Sequence, residues 1–485
     1  MTRSSLAAPF LLSYLFCVMS SLLVLISYPD HVVVSISATI LGFVFMLLVI
    51  SLFKTEVTLG GILGIVFLLF YFSAPYWLLQ DEGFSWLIHN NRMLRFTGSP
   101  EEYLEIIVVA FFAASIFLCS VKFSEKVFGT YSKNSYRSSH GDVVQAVSYI
   151  IRPYQRLWIV LLIVQFPINL WMFSNRMGVV GFDPEIRFGI FPVTGALYYY
   201  RYYIFPLVEL FALLSVKRKN LVACLIIVEA LVAGFSGLSR SLLVLHSSAI
   251  FIGAFLPGVL VNRLVLFGSA VVVLLGYEFI TLVRIAIYLP GFDSFSVQAL
   301  WEMMMDTAST TDVDVVEILG SVPWQIYSRI VGLREFIIVY FSAQEAQSGY
   351  GYHLLIEYFF GMDATKFPNY FAVKELWGSS LDEFGGYGVD VLGNCYRGSG
   401  SLVALPLVLF VLGNMVAQSF RWLIEMFDEV SLPRELASPV LAVAIFKFLD
   451  GWVWQIVILG LSCFIVSFLF RRRAYFTKGN VSDFR

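Results

Sequence analysis

Apolar residues in this chain gather into long unbroken runs, without the alternation of a strand or the single stripe of a soluble helix. The first runs cover residues 6–28, 32–53, 57–79 and 103–121. Further runs cover 157–173, 193–216, 221–235, 241–261 and 264–283, and the last cover 401–420, 436–448 and 452–470. A helix needs about 20 apolar residues to cross the hydrocarbon core, so the pattern predicts an all-α polytopic membrane protein of about 12 spans. The runs at 221–235 and 436–448 are the short ones. The first run is too long for a signal peptide and lacks a small-residue cleavage site, so it reads as the first span.

Composition agrees: 59% of the residues are hydrophobic and 14% charged, against roughly 25% charged in a soluble domain. A net charge of -2 points to no nucleic acid or other polyanionic partner. Placement of Lys and Arg matters more. With the N-terminus in the cytoplasm, the cytoplasmic connections hold Lys122, Lys126, Lys133, Arg137, Arg152, Arg156 and the Lys217-Arg218-Lys219 triplet. The C-terminal tail adds Arg471, Arg472 and Arg473, whereas the short loops opposite hold only Arg92, Arg95, Arg176, Arg187 and Arg240. This bias predicts both termini in the cytoplasm.

Residues 285–398 contain no convincing span and, on that threading, form one large loop on the far side. The chain thus divides into residues 1–284 with the first nine helices, the loop 285–398, and 399–485 with the last three helices and the tail. An unstructured loop of this length is improbable, so helices are expected within it. Pro323 starts one that runs to about Tyr340, with Ile326, Ile330, Leu333, Ile337 and Tyr340 on one stripe. Arg329 and Arg334 flank the stripe, and Glu335 points away from it. A shorter amphipathic piece is expected over 297–308.

The candidate chemistry is cationic. Gly234–Arg240 is a small-residue turn between two spans, and an arginine there can hold a phosphate with its planar fork of donors; a snorkelling interfacial arginine is the plainer alternative. Arg201 sits among Tyr198, Tyr199, Tyr200, Tyr202 and Tyr203 and reads as interfacial anchoring. Arg284 enters the large loop and is ambiguous. Arg329 and Arg334, beside an apolar stripe, suit a ligand with a lipid tail and a diphosphate head; an interfacial helix with basic flanks is the alternative. Glu335, His353, Glu357, Asp382, Glu383 and Asp390 are each able to act as a general base. Asp312 and Asp314 form a weak Asp-x-Asp pair. No metal-ligand spacing is present among the five Cys or the His residues, and no cofactor is expected. Cys395 alone lies in a loop; Cys17, Cys119, Cys224 and Cys463 lie in apolar runs.

The layout resembles the bacterial O-antigen polymerase family (Wzy type), related to the O-antigen ligases. The likeness rests on a dozen spans with a long helical loop before the last few and on the Gly237-Leu238-Ser239-Arg240 turn. It also rests on Ser328-Arg329 and Arg334-Glu335, on Lys366-Phe367-Pro368, and on Gly393-Asn394-Cys395-Tyr396-Arg397-Gly398. It covers most of the chain with loose motifs. The ligases favour a loop histidine as base; His353 is the one histidine in this loop, which leaves the base unassigned.

The resemblance implies a polymerase of the bacterial inner membrane that joins undecaprenyl-diphosphate-linked repeat units into surface polysaccharide. Transfer would invert the sugar and proceed on the periplasmic side without a metal. Arg240, Arg329, Arg334 and Arg284 would stabilise the diphosphate leaving group, and Glu335 or His353 would take the acceptor's proton. Implied partners are the lipid-linked donor and acceptor, membrane lipid and a chain-length regulator. Competing readings are an O-antigen ligase or other lipid-linked glycosyltransferase, and a flippase or transporter of the same lipid-linked oligosaccharide. Transporters carry charges near mid-membrane, whereas the ionisable residues noted here gather at the far face.

Overall fold

The computed structural model describes residues 6–54, 58–73, 99–128, 149, 151–175, 197, 200–256, 261–288, 298, 301–302, 336–337, 391–399, 402–429, 432, 434–449, 456 and 459–468. These residues are all helical or in the turns between helices. In chain order the helices are α1 (Ala7–Ser27), α2 (Val32–Phe53), α3 (Leu59–Phe67), α4 (Pro100–Val127), α5 (Gln155–Ser174), α6 (Phe205–Ser215) and α7 (Lys219–Ser236). They continue with α8 (Arg240–Phe255), α9 (Arg263–Tyr288), α10 (Val391–Ser399), α11 (Leu405–Glu429) and α12 (Ser438–Leu449). The last is α13 (Leu459–Phe468). Two π-helical turns extend this set, Leu68–Phe72 after α3 and Tyr200–Ile204 before α6.

Among the described residues, six helices are long and apolar enough to cross a bilayer: α1, α2 with its leading turn, α4, α5 with its leading turn, α7 and α11. Large apolar side chains on these helices point outward, including Leu11, Leu12, Met19 and Ile26 on α1 and Val160 and Ile163 on α5. Lipid is the environment in which such surfaces cost nothing. The chain is therefore an integral membrane protein. Of the rest, α3 with its following turn, α8 and α13 are shorter apolar helices, and α9 counts only through its Arg263–Tyr277 stretch, so the described residues establish six candidate spans and not twelve. The run read as short at 221–235 gains a residue or more at each end and reaches spanning length as α7.

Local chemistry explains several boundaries. Ser99 caps α4 by accepting from Glu102 N at 3.3 Å; Pro100 follows at the first helical position, and Glu101 and Glu102 complement the positive end of the helix. Thr58 caps α3 by accepting from Gly61 N at 3.1 Å. Pro167 lies inside α5 and removes the N–H that Ile163 O would otherwise receive.

The chain divides into two compact units. The first comprises Met1–Ser135, Ile330–Leu423 and Ile445–Arg485. Its interior is aromatic and small-residue: Phe45 meets Phe72 at 5.3 Å between ring centroids, and Phe67 meets Phe117 at 6.0 Å. Several of its buried polar groups are bonded to backbone carbonyls, as in Cys17 Sγ to Phe72 O at 3.1 Å and Ser35 Oγ to Ser21 O at 2.5 Å, and its buried Glu125 pairs with Lys122 at 3.5 Å. Phe336 and Ile337 are helical and buried here, with Phe336 6.3 Å from Tyr71. They are the described part of the expected 323–340 helix. Of the piece expected over 297–308, Gln298, Trp301 and Glu302 are described and helical, and Gln298 Nε2 donates to Glu302 Oε1 at 3.0 Å. Cys395, expected in a loop, is buried within α10.

The second unit comprises Tyr136–Arg329 and Ile424–Ala444. Here α8 packs on α6, α7 and α9, while α5 lies against α6 and α7. Leu162, Phe205, Ala212, Leu213, Val222, Ile226 and Ile250 form its apolar core. Both features below belong to this unit.

Candidate functional site

The turn between α7 and α8 is a Schellman motif. Ser239 N donates to Gly234 O at 2.9 Å and Leu238 N to Phe235 O at 3.0 Å, the two bonds that close such a helix end. The motif needs a left-handed residue, usually glycine, and here it is Leu238 with φ 46°. A left-handed leucine costs about 1–2 kcal/mol. Its side chain is fully buried, so packing offsets the strain and holds the turn in one shape. At Gly237 a Cβ would stand 2.7 Å from Leu242 Cδ1, so a larger residue there requires the Leu242 side chain to move.

This turn delivers Arg240 as the first residue of α8, buried to 7% exposure with its guanidinium 4.8 Å from the centroid of the Tyr277 ring on α9. Hydroxyls gather beside it: Ser239 Oγ lies 2.8 Å from Ser241 Oγ, and Tyr202 Oη lies 3.3 Å and 3.4 Å from the two. Arg240 thus stands in the first turn of α8, at the positive end of that helix. Guanidinium, hydroxyls and the N-terminal amides of α8 make an arrangement suited to phosphate oxygens.

Arg201 departs from the anchoring role expected of it. It is 2% exposed and donates from one terminal nitrogen to Ala233 O at 2.9 Å and Ser236 Oγ at 2.8 Å, tying the π-helical turn to the end of α7. A tyrosine-rich flank looks alike in sequence whether it meets lipid or covers a buried arginine, which is why the residue type misled.

Directly inward lies a cluster that the sequence reading did not identify. Glu209 on α6, Glu229 on α7 and His246 on α8 are all fully buried, and their ligand atoms lie within 4.8 Å of one another. His246 Nδ1 is 2.7 Å from Glu229 Oε2 and 3.3 Å from Glu209 Oε1. Its Nε2 lies 3.1 Å from Arg201 O, and a carbonyl only accepts, so Nε2 carries a proton. The fold frees that carbonyl deliberately. In a π-helical turn the carbonyl of residue i looks to the N–H of residue i+5, and for Arg201 that residue is Pro206, which has none.

The network continues outward from Glu229, whose Oε1 accepts from Asn169 Nδ2 at 2.8 Å, while Asn169 Oδ1 accepts from Gln165 Nε2 at 3.1 Å. Neither oxygen of Glu209 has a hydrogen-bond partner, and neither do Gln165 Oε1 and Arg201 Nε. The chemistry present is thus an imidazole and two carboxylates in a fully buried cluster, with the buried Arg201 backbone carbonyl orienting the imidazole. The usable signal in sequence was an acidic residue or histidine inside each of three successive apolar runs, since such residues are costly in a membrane and mark function.

Of the residues singled out from sequence, Arg240 is described in full. Arg284 is helical, within α9, and only its backbone is described. Arg329, Arg334, Glu335 and His353 lie outside the described residues, as do Glu357, Asp382, Glu383, Asp312 and Asp314. Comparison of the chain with protein-family models, with curated proteins and with solved structures gives no match in any of the three.

Proposed function

We propose that this protein is an inverting glycosyltransferase of the bacterial inner membrane that polymerises undecaprenyl-diphosphate-linked oligosaccharide repeat units. The observation that supports it best is Arg240, a buried side chain after a strained turn, with its guanidinium over a tyrosine ring and its two chain neighbours, Ser239 and Ser241, in hydroxyl contact with each other and with Tyr202. In this reading the chain has twelve spans and cytoplasmic termini, and the Arg240 turn opens to the periplasm. The acceptor hydroxyl attacks the anomeric carbon of the donor, the bond to the diphosphate breaks, and the electron pair leaves on the diphosphate oxygen. Arg240, with Arg284, Arg329 and Arg334, stabilises that developing charge. Glu335 or His353 accepts the hydroxyl proton.

Deletion of the gene in its host is expected to leave lipopolysaccharide carrying a single repeat unit and no ladder on a gel. Arg240→Ala should give the same pattern with the protein still in the membrane. Loss of the single unit as well would reject the polymerase reading. A second reading, a cation-coupled flippase for the same lipid-linked sugar, is favoured by the carboxylate–imidazole cluster inside the helices. It predicts that loss of the single unit.

A further inference from the structure

The donor and acceptor balance around His246 points to a missing cation. A buried carboxylate without donors is costly, by several kcal/mol for an uncompensated ion. Glu209 is fully buried, with His246 Nδ1 3.3 Å from Oε1 as its ion-pair partner and no hydrogen bond of good geometry to either oxygen. The Arg201 guanidinium bonds elsewhere through one terminal nitrogen, to Ala233 O and Ser236 Oγ, and makes no hydrogen bond to Glu209. Gln165 Oε1 adds a further buried acceptor without a donor.

The surrounding groups prepare the donor atoms as ligands. A metal-binding imidazole is oriented by a hydrogen bond from its other nitrogen, and ligating carboxylates are themselves hydrogen-bonded. His246 has that bond to Arg201 O, which leaves the Nδ1 side turned to the carboxylates, and Glu229 Oε1 is held by Asn169. Ligands about 2.1 Å from a tetrahedral ion stand roughly 3.4 Å apart. Glu209 Oε1 is already 3.3 Å from Nδ1. Glu229 Oε2, at 2.7 Å, withdraws by roughly 0.7 Å as the proton it shares with the imidazole is released on metal entry.

We propose that Glu209, Glu229 and His246 bind one divalent transition-metal ion of the Zn²⁺ or Mn²⁺ kind, which cross-links α6, α7 and α8 beneath the Arg240 turn. A doubly charged ion between two carboxylates and a neutral imidazole carries no net charge, which suits a lipid-enclosed interior. One nitrogen and two oxygens fit these borderline metals better than Mg²⁺ or Ca²⁺, which take oxygen ligands alone. The inference stands apart from glycosyl transfer: the ion pins helices and touches no sugar.

Full-length protein purified in detergent without a histidine tag, loaded separately with Zn²⁺ and with Mn²⁺ and then desalted, is to be assayed by elemental mass spectrometry. The expected result is about one bound ion per chain for one of the two metals. Glu209→Gln and His246→Gln should lose it, and Asn169→Ala should weaken affinity by roughly 10–100-fold. If a variant fails to fold, Co²⁺-loaded wild type decides alone, through visible absorption bands of nitrogen and oxygen coordination. Wild type that retains neither metal nor Co²⁺ overturns the proposal and leaves a cluster that binds protons only.

Discussion

The two units differ in the polar contacts that join their helices. In the first, α4 and α11 approach so closely that a Cβ on Gly413 would stand 2.8 Å from Phe117 O and from Ser120. Ser120 Oγ donates to Phe410 O, Asn414 Nδ2 donates to Ser120 Oγ at 2.8 Å, and Gln418 Nε2 donates to Ser124 Oγ at 2.9 Å. These groups are neutral and matched donor to acceptor, the small-residue seam by which helices adhere in lipid. In the second unit the buried groups are ionisable, three helices supply them, and the match is incomplete. Adhesion needs a small residue and a satisfied hydroxyl. It gives no reason for an undonated carboxylate, so the second interior carries something beyond adhesion.

Three substitutions test that contrast. Glu229→Leu strands His246 Nδ1, Asn169 and Glu209 together, and removing one partner of a buried charged network costs about 3–5 kcal/mol. Denaturant titration of purified protein should show the loss. A cost no larger than that of a neutral seam mutant would erase the distinction between the units. Gly413→Val, in the first unit, forces a side chain against Phe117 O and Ser120, for about 1–3 kcal/mol. It should shift the same titration without altering metal content. Asn414→Ala removes one donor from the seam and is expected to cost about 0.6 kcal/mol, the ordinary worth of a hydrogen bond between membrane helices. A penalty several times larger would mean that the seam, too, does more than adhere.

Much of the helical layout was legible because lipid imposes one rule on every span. The run at 32–53 coincides with α2, and the small-residue turn before Arg240 marks the α7–α8 junction where it stands. Legibility failed where meaning depends on neighbours far along the chain. Glu209, Glu229 and His246 each look like an isolated blemish in an apolar run, and only packing of α6, α7 and α8 turns them into a set. Arg201 failed for the same reason, since its partners are on α7 and the tyrosines around it suit an interface equally well. Pro206 was readable as a helix start; its role in releasing the Arg201 carbonyl appears only with the π-helical turn before it.

Spreading the ionisable cluster over three successive helices also constrains how the protein is made. A lone acidic residue at the centre of an inserting helix costs about 2.5–3.5 kcal/mol on insertion scales, enough to hold a marginal segment out of the bilayer. Helix α6 carries Glu209, α7 carries Glu229, and α8 brings the imidazole that faces both. None of the three is content in lipid alone, and each becomes so beside the others. In the twelve-span reading, biogenesis then favours their release into the membrane as a group once α8 has been synthesised.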